Sequence, residues 1–309
     1  MAGQSMRDLK RRIRGVRSTQ QITRAMEMVA AAKLRRAQQQ LTTGLPFTEK
    51  LETILSRVVQ HRDVLQRKDA VHPLLAVREP ARVLYVVVAA DRGLAGGYNT
   101  NVLRLALATI QEDEREKRVV AVGRRSRDFL LRRGIELYNE GLQSNYIYVG
   151  DELSYEESRF VTRYIADMYI RGEVDEVIII HNVFLTAASY RPTVTRLLPI
   201  EPEHFIREER DAAGDRDEDE EEPLIYVPSA EQVLSVLIPR YFDIRVYSLL
   251  LGAKAAEQGA RMLAMRNATE NAEEMIEQLT LSFNRARQDS ITTEISEIVG
   301  GANALAGGE

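Results

Sequence analysis

From residue 229 to residue 305, apolar positions recur at alternating steps of three and four, the spacing of one very long helix. Leu251, Ala255, Met262, Met265, Thr269, Ala272, Ile276, Leu279, Phe283 and Ala286 share a seam, with Gln258 as a polar member, the pattern of a coiled coil of modest hydrophobicity. Pro228 stops the preceding segment, Ser229 and Gln232 have the spacing of a capping box, and Pro239 is expected to kink the first turns. At 1.5 Å per residue such a helix extends for about 115 Å, far too long to bury itself in one domain, so it must lie along another helix or inside another protein. The seam breaks across Arg287, Gln288, Asp289 and Ser290 and resumes one position late with Ile291, Ile295, Ile298, Ala302 and Leu305. Beyond the break the helix is expected to face something other than its first partner.

A second proline-free helix is expected over 6–41, with Leu9, Ile13 and Val16 on one stripe and Met26, Ala30, Leu34, Ala37 and Leu41 continuing it. Alanines at 25, 30, 31, 32 and 37 answer an i, i+4 alanine ridge at 256, 260, 264, 268 and 272, and small side chains let two helices approach closely. If the intervening domain sits at one end, the pair must be antiparallel. Thr42-Thr43-Gly44-Leu45-Pro46 predicts a break, with a further amphipathic helix over 47–65.

From residue 81 the period changes. Strands are predicted at 83–90, 119–122, 174–183 and 193–198, and helices at 100–114, 126–132 and 154–170, the last opened by a Ser154/Glu157 capping box. This alternation implies a small α/β domain with a largely parallel sheet between two terminal helices. The expected plan is 1–65 for the first helices, 81–206 for the α/β domain, 207–228 for an acidic linker and foot segment, and 229–309 for the last helix.

Charge supports the pairing of the two ends. The net charge of −4 hides ten basic against two acidic residues over 1–42, and seven basic against eleven acidic from 229 onward. Residues 208–222 carry ten acidic and two basic residues, a composition suited to a solvated linker or to contact with a basic partner. There is no cysteine, which excludes disulfides, thiol switches and thiolate metal sites. His61, His72, His181 and His204 are isolated in sequence and read as ordinary histidines rather than ligands. No apolar run reaches membrane-spanning length, and the basic opening lacks the apolar core of a signal peptide, so a soluble protein on the cytoplasmic side is expected.

Gly93, Gly96 and Gly97 lie between a strand and a helix, where a nucleotide phosphate can sit, but their spacing is neither the dinucleotide fingerprint nor a P-loop. A structural turn with an Asp91–Arg92 ion pair is the preferred reading; a nucleotide-binding α/β enzyme with helical dimerisation arms is the alternative. Nucleic-acid binding by the basic first helix is disfavoured, because residues 1–40 hold no aromatic side chain for stacking. A coiled-coil adaptor remains a third possibility.

Four blocks, in order along the chain, carry a family resemblance. They are Gln21-Ile22-Thr23-Arg24-Ala25-Met26-Glu27-Met28-Val29-Ala30-Ala31, Asp91-Arg92-Gly93-Leu94-Ala95-Gly96-Gly97-Tyr98-Asn99, the run Ala260 through Ala272, and Ile291-Thr292-Thr293-Glu294-Ile295-Ser296-Glu297-Ile298-Val299-Gly300-Gly301-Ala302-Asn303-Ala304. Together they resemble the γ subunit of F-type ATP synthases. The resemblance implies an α/β fold with a long antiparallel coiled coil, in which N- and C-terminal helices flank a Rossmann-like domain. It implies a non-catalytic rotor shaft with no cofactor, and as partners the α and β subunits of the hexamer, the ε subunit and the c ring. The implied location is peripheral, on the cytoplasmic face of a bacterial plasma membrane, with an organelle inner membrane as alternative.

Residue by residue, the resemblance places Arg261, and higher up Arg287, Gln288 and Thr292, at the catch with the β subunits. Met26, with Arg35 and Arg36, falls in the block facing an acidic loop of β. Ile295, Ile298, Ala302 and Leu305 form the tip that turns in an apolar sleeve, and Tyr226 is the foot contact to ε and the c ring. Where the family often has cysteine, this chain has Ala95. Asp151-Glu152-Leu153-Ser154 looks like the acidic loop of β itself, but it is expected only to cap a helix.

Overall fold

The computed structural model describes residues 6–60, 72–138, 142–200 and 229–306. The acidic run, Tyr226, His61 and His204 lie outside the described residues. The elements are α1 (Met6–Gln60), a short 3₁₀ turn (Pro73–Leu75), β1 (Arg82–Val88), α2 (Tyr98–Glu112), β2 (Glu116–Val122), α3 (Arg124–Arg132), α4 (Tyr155–Ile170), β3 (Glu176–Thr186), β4 (Ser189–Leu198) and α5 (Ala230–Ala306). They divide into two compact units, Met1–Ala30 with Met262–Glu309, and Ala31–Arg261; α1 and α5 contribute to both.

The expected break at residues 42–46 is absent: α1 runs through it with Pro46 inside. An interior proline removes one helical hydrogen bond and costs about 3 kcal/mol. Leu51, Leu55 and Val58, further along the same helix, are at most 6% exposed. Burying three such side chains, at about 1.5–3 kcal/mol each, outweighs that cost. The last helix begins as expected, with the Gln232 amide donating to Ser229 Oγ at 3.3 Å, and Pro239 lies inside it.

The sheet has the order β2-β1-β3-β4. β1 pairs in parallel with β2 and β3, while β3 and β4 are antiparallel, so the sheet is mixed where a largely parallel one was expected. The reason is the connection: Ala187 and Ala188 alone join β3 to β4, and a parallel crossover needs a dozen residues or more. β1, rich in valine, is buried along nearly its whole length between its two neighbours. β4 is half exposed and carries Pro192, as an edge strand can. Val83, Tyr85 and Val87 pack with Val102, Ala106 and Leu130 of α2 and α3. α4 opens with the complete Ser154/Glu157 capping box.

Gly123 makes the turn from β2 into α3 possible. Its φ is +91°, and a Cβ there would lie 2.0 Å from the Ala89 carbonyl oxygen. Only glycine allows β2 to end so close to the end of β1.

Candidate functional site

In the unit formed by the chain ends, α1 and α5 touch through polar as well as apolar groups. Thr23 Oγ1 and Thr269 Oγ1 share a hydrogen bond of 2.8 Å, and Arg266 Nε donates to Glu27 Oε1 at 3.0 Å. The partner of residue 23 lies after that of residue 27, so the two segments run in opposite directions. Leu9, Thr23 and Ala30 of α1 and Met265 and Ala272 of α5 are buried. Thr23 thus bridges the two apolar stripes of the first helix beside the polar run Ser18-Thr19-Gln20-Gln21.

The seam of α5 continues as a half-buried stripe through Ile276, Leu279, Phe283, Ala286 and Ser290, and then stops. Every residue from 291 to 300 is exposed, including Ile295 at 56% and Ile298 at 71%. Ten consecutive exposed positions with four large apolar side chains are unsuited to free solvent and suited to a partner. Arg287, Gln288 and Thr292 are exposed at the end of the stripe, with the Thr292 hydroxyl donating to the Gln288 carbonyl at 3.0 Å. Leu305 lies within α5, but its side-chain surroundings fall outside the described residues. Met26 is half buried. Reading only the heptad seam misses Ile22, Met28, Val29, Met275 and Leu281, all at least half exposed. Their signal is an apolar residue off the seam of a helix that already has a partner.

In the second unit, Arg35 is exposed, and Arg36 is exposed but bonded to Glu152. Lys33 Nζ donates to Asp151 Oδ2 at 2.7 Å, which holds that carboxyl below its usual range. Asp151-Glu152 therefore does more than precede a helix cap; it ties the loop before α4 to α1. Arg261 is 9% exposed, unlike a residue held out towards a neighbour. Its guanidinium lies 2.8 Å from Glu257 Oε1 and donates to the Gly93 carbonyl at 3.4 Å. Glu257 also faces Lys254 Nζ at 3.4 Å, and Lys254 donates to the Val149 carbonyl at 3.1 Å.

The glycine-rich loop is a joint rather than a nucleotide cradle. Asp91 does not pair with Arg92; its carboxylate accepts from the Arg124 amide at 2.8 Å, while Arg92 lies 4.0 Å from Asp151. Asn99 Oδ1 accepts from the Ala90 amide at 2.9 Å, and Tyr98, fully buried, donates its hydroxyl to the Ala253 carbonyl at 2.9 Å. Ala90, Ala95 and Tyr98 pack on Ala256, with Ala260 beside them. The lower alanines of the ridge thus serve the loop, whereas Ala25 and Ala32 of α1, expected to face that ridge, are exposed. Between Asp91, Tyr98, Lys254 and Glu257 remains a cavity of about 10 Å³, room for one water. Among the described residues, no three His, Cys, Asp or Glu side chains are grouped to hold a metal ion, and no helix is long and apolar enough to cross a membrane.

The sequence model of the ATP synthase family described as "ATP synthase" matches residues 5–305. A gamma chain of ATP synthase from Moorella thermoacetica is 50% identical over 300 residues, covering 97% of this chain and 99% of the relative. The chain belongs to the ATP synthase gamma chain family. A second family member, from Desulfitobacterium hafniense, is 46% identical over 302 residues, covering 97% and 99%. Among solved structures, a chain of the Euglena gracilis mitochondrial ATP synthase superposes with a TM-score of 0.61 at 19% identity, covering 98% of this chain and 95% of that one. A chain of the Tetrahymena thermophila mitochondrial ATP synthase central stalk and c ring gives 0.57 at 22%, covering 80% and 99%.

Proposed function

We propose that this chain is the central rotor shaft of a proton-translocating F-type ATP synthase, a non-catalytic subunit that couples rotation of a membrane c ring to ATP synthesis or hydrolysis at β subunits. The observation that carries this reading is half-identity to a gamma chain over nearly the whole length of both proteins. The terminal helices act as an antiparallel coiled coil standing inside a hexamer of α and β subunits, and the Rossmann-like domain meets the ε subunit and the c ring. The assembly sits on the cytoplasmic face of a bacterial plasma membrane.

Such a part needs stiffness and asymmetry. Thr23–Thr269 and Glu27–Arg266 tie helix to helix; Lys33–Asp151 and the Glu257–Arg261–Gly93 chain tie α1 and α5 to the sheet domain. A lopsided shaft cannot touch three surrounding subunits alike. Each 1.4 kcal/mol of differential contact is a tenfold change in nucleotide affinity, and the coupling is reciprocal, so hydrolysis drives the shaft backwards. Ile295, Ile298, Ala302 and Leu305 turn in an apolar sleeve, which needs surface without directional bonds. Arg287, Gln288 and Thr292 contact β below it, Met26 and Arg35 lie on the level of an acidic β loop, and Tyr226 is the foot contact. Arg36 reaches a β loop only by releasing Glu152, and Arg261 acts from inside by fixing Gly93.

The test is reconstitution with α and β subunits and a bead attached within residues 81–206. ATP should turn the bead in steps; sustained hydrolysis with the bead stationary sinks the proposal.

A further inference from the structure

Where α1 passes α5 in the Ala31–Arg261 unit, the sequence leaves a gap. Gly44 has no side chain, and Thr48 and Ser248 are short. A Cβ at Gly44 would meet nothing within 4 Å. The result is a cavity of about 350 Å³, lined by Leu41, Phe47, Ile244 and Leu251, by Tyr155 and Tyr247, and by Arg240 as its charged group. That volume is in the range of small-molecule sites, and an apolar lining with few polar groups is their usual chemistry.

Two features narrow the ligand. Tyr155 and Tyr247 stand edge to face, ring centroids 5.7 Å apart, and Phe47 is 60% exposed, so flat aromatic surface is on offer. Asp243 faces Arg159 at 3.6 Å, and the charges of Arg163 and Arg240 act on the same carboxylate. Arg240 acts on Asp243 from a distance, without an ion-pair contact among the described residues, and lines the cavity itself. The geometry points to a binding site for a flat aromatic monoanion, an arylcarboxylate or arylsulfonate, whose rings lie on Phe47 and the tyrosines and whose charge meets Arg240.

The probe is 8-anilinonaphthalene-1-sulfonate, titrated calorimetrically into the full chain. One saturable site with a dissociation constant on the order of 10–100 μM is expected. Gly44→Leu, which fills the gap and suits a helix better than glycine, should abolish it with the circular dichroism spectrum unchanged. Arg240→Gln should weaken the sulfonate about tenfold, and so should replacing the probe by neutral N-phenyl-1-naphthylamine. Absence of saturable binding, or equal binding by Gly44→Leu, overturns the site. Equal affinity for the neutral probe overturns the anion and leaves an apolar groove suited to a protein side chain.

Discussion

Glu257→Gln isolates the joint between α5 and the glycine-rich loop. The Glu257 side chain is 3% exposed, with Arg261 at 2.8 Å and Lys254 at 3.4 Å, themselves 10% and 11% exposed. Neutralising Glu257 takes from two cations in a nearly dry site the carboxylate they share, leaving the Gly93 and Val149 carbonyls as their close charge-neutral partners. Removing one member of a buried ion pair costs about 3–5 kcal/mol, a large share of the ~5–15 kcal/mol that holds a domain together. The assay is urea unfolding of the full chain followed by circular dichroism. A double variant, Glu257→Gln with Arg261→Met, removes one stranded cation and should recover about 2 kcal/mol of the loss. A single-variant loss below about 1 kcal/mol, the range of exposed pairs, refutes the reasoning. So does strict additivity in the double variant.

His181 is 2% exposed on β3, and burial pushes its imidazole down to about 4. The unfolded chain, with an ordinary value near 6.5, then binds more protons between these pH values. Stability should therefore fall by about 3 kcal/mol as pH drops from 6.5 to 4, a slope that His181→Leu should lack in melts across that range. Gly123→Ala should cost more than about 3 kcal/mol, since it adds a Cβ 2.0 Å from a carbonyl at φ +91°; a soluble variant with an unchanged melting temperature would contradict the turn. Ile295→Ala with Ile298→Ala should change the stability of the isolated chain by less than about 0.5 kcal/mol, because both are exposed, yet reduce rotary torque in the reconstituted complex. Unchanged torque would remove these residues from the sleeve contact.

Periodicity and capping were local facts, and the chain expressed them. The seam from Leu251 to Ala286 and both serine caps need only neighbours within a few residues, so they could be read without a structure. The four family blocks likewise sufficed to indicate the family, because residue identity alone carries that comparison. Decisions between distant groups could not be read this way. Whether α1 survives Pro46 depends on what Leu51, Leu55 and Val58 find to pack against. Whether β4 runs antiparallel depends on where β3 ends and leaves its two-residue turn. Arg261 looks like an outward arginine on a helix, and only the approach of Gly93 and Glu257 makes it an inner strut. Sequence set the helical repeat, the caps and the kinship; tertiary structure decided which charges are spent inside the chain and which apolar faces remain open, because both depend on surfaces brought together from far apart.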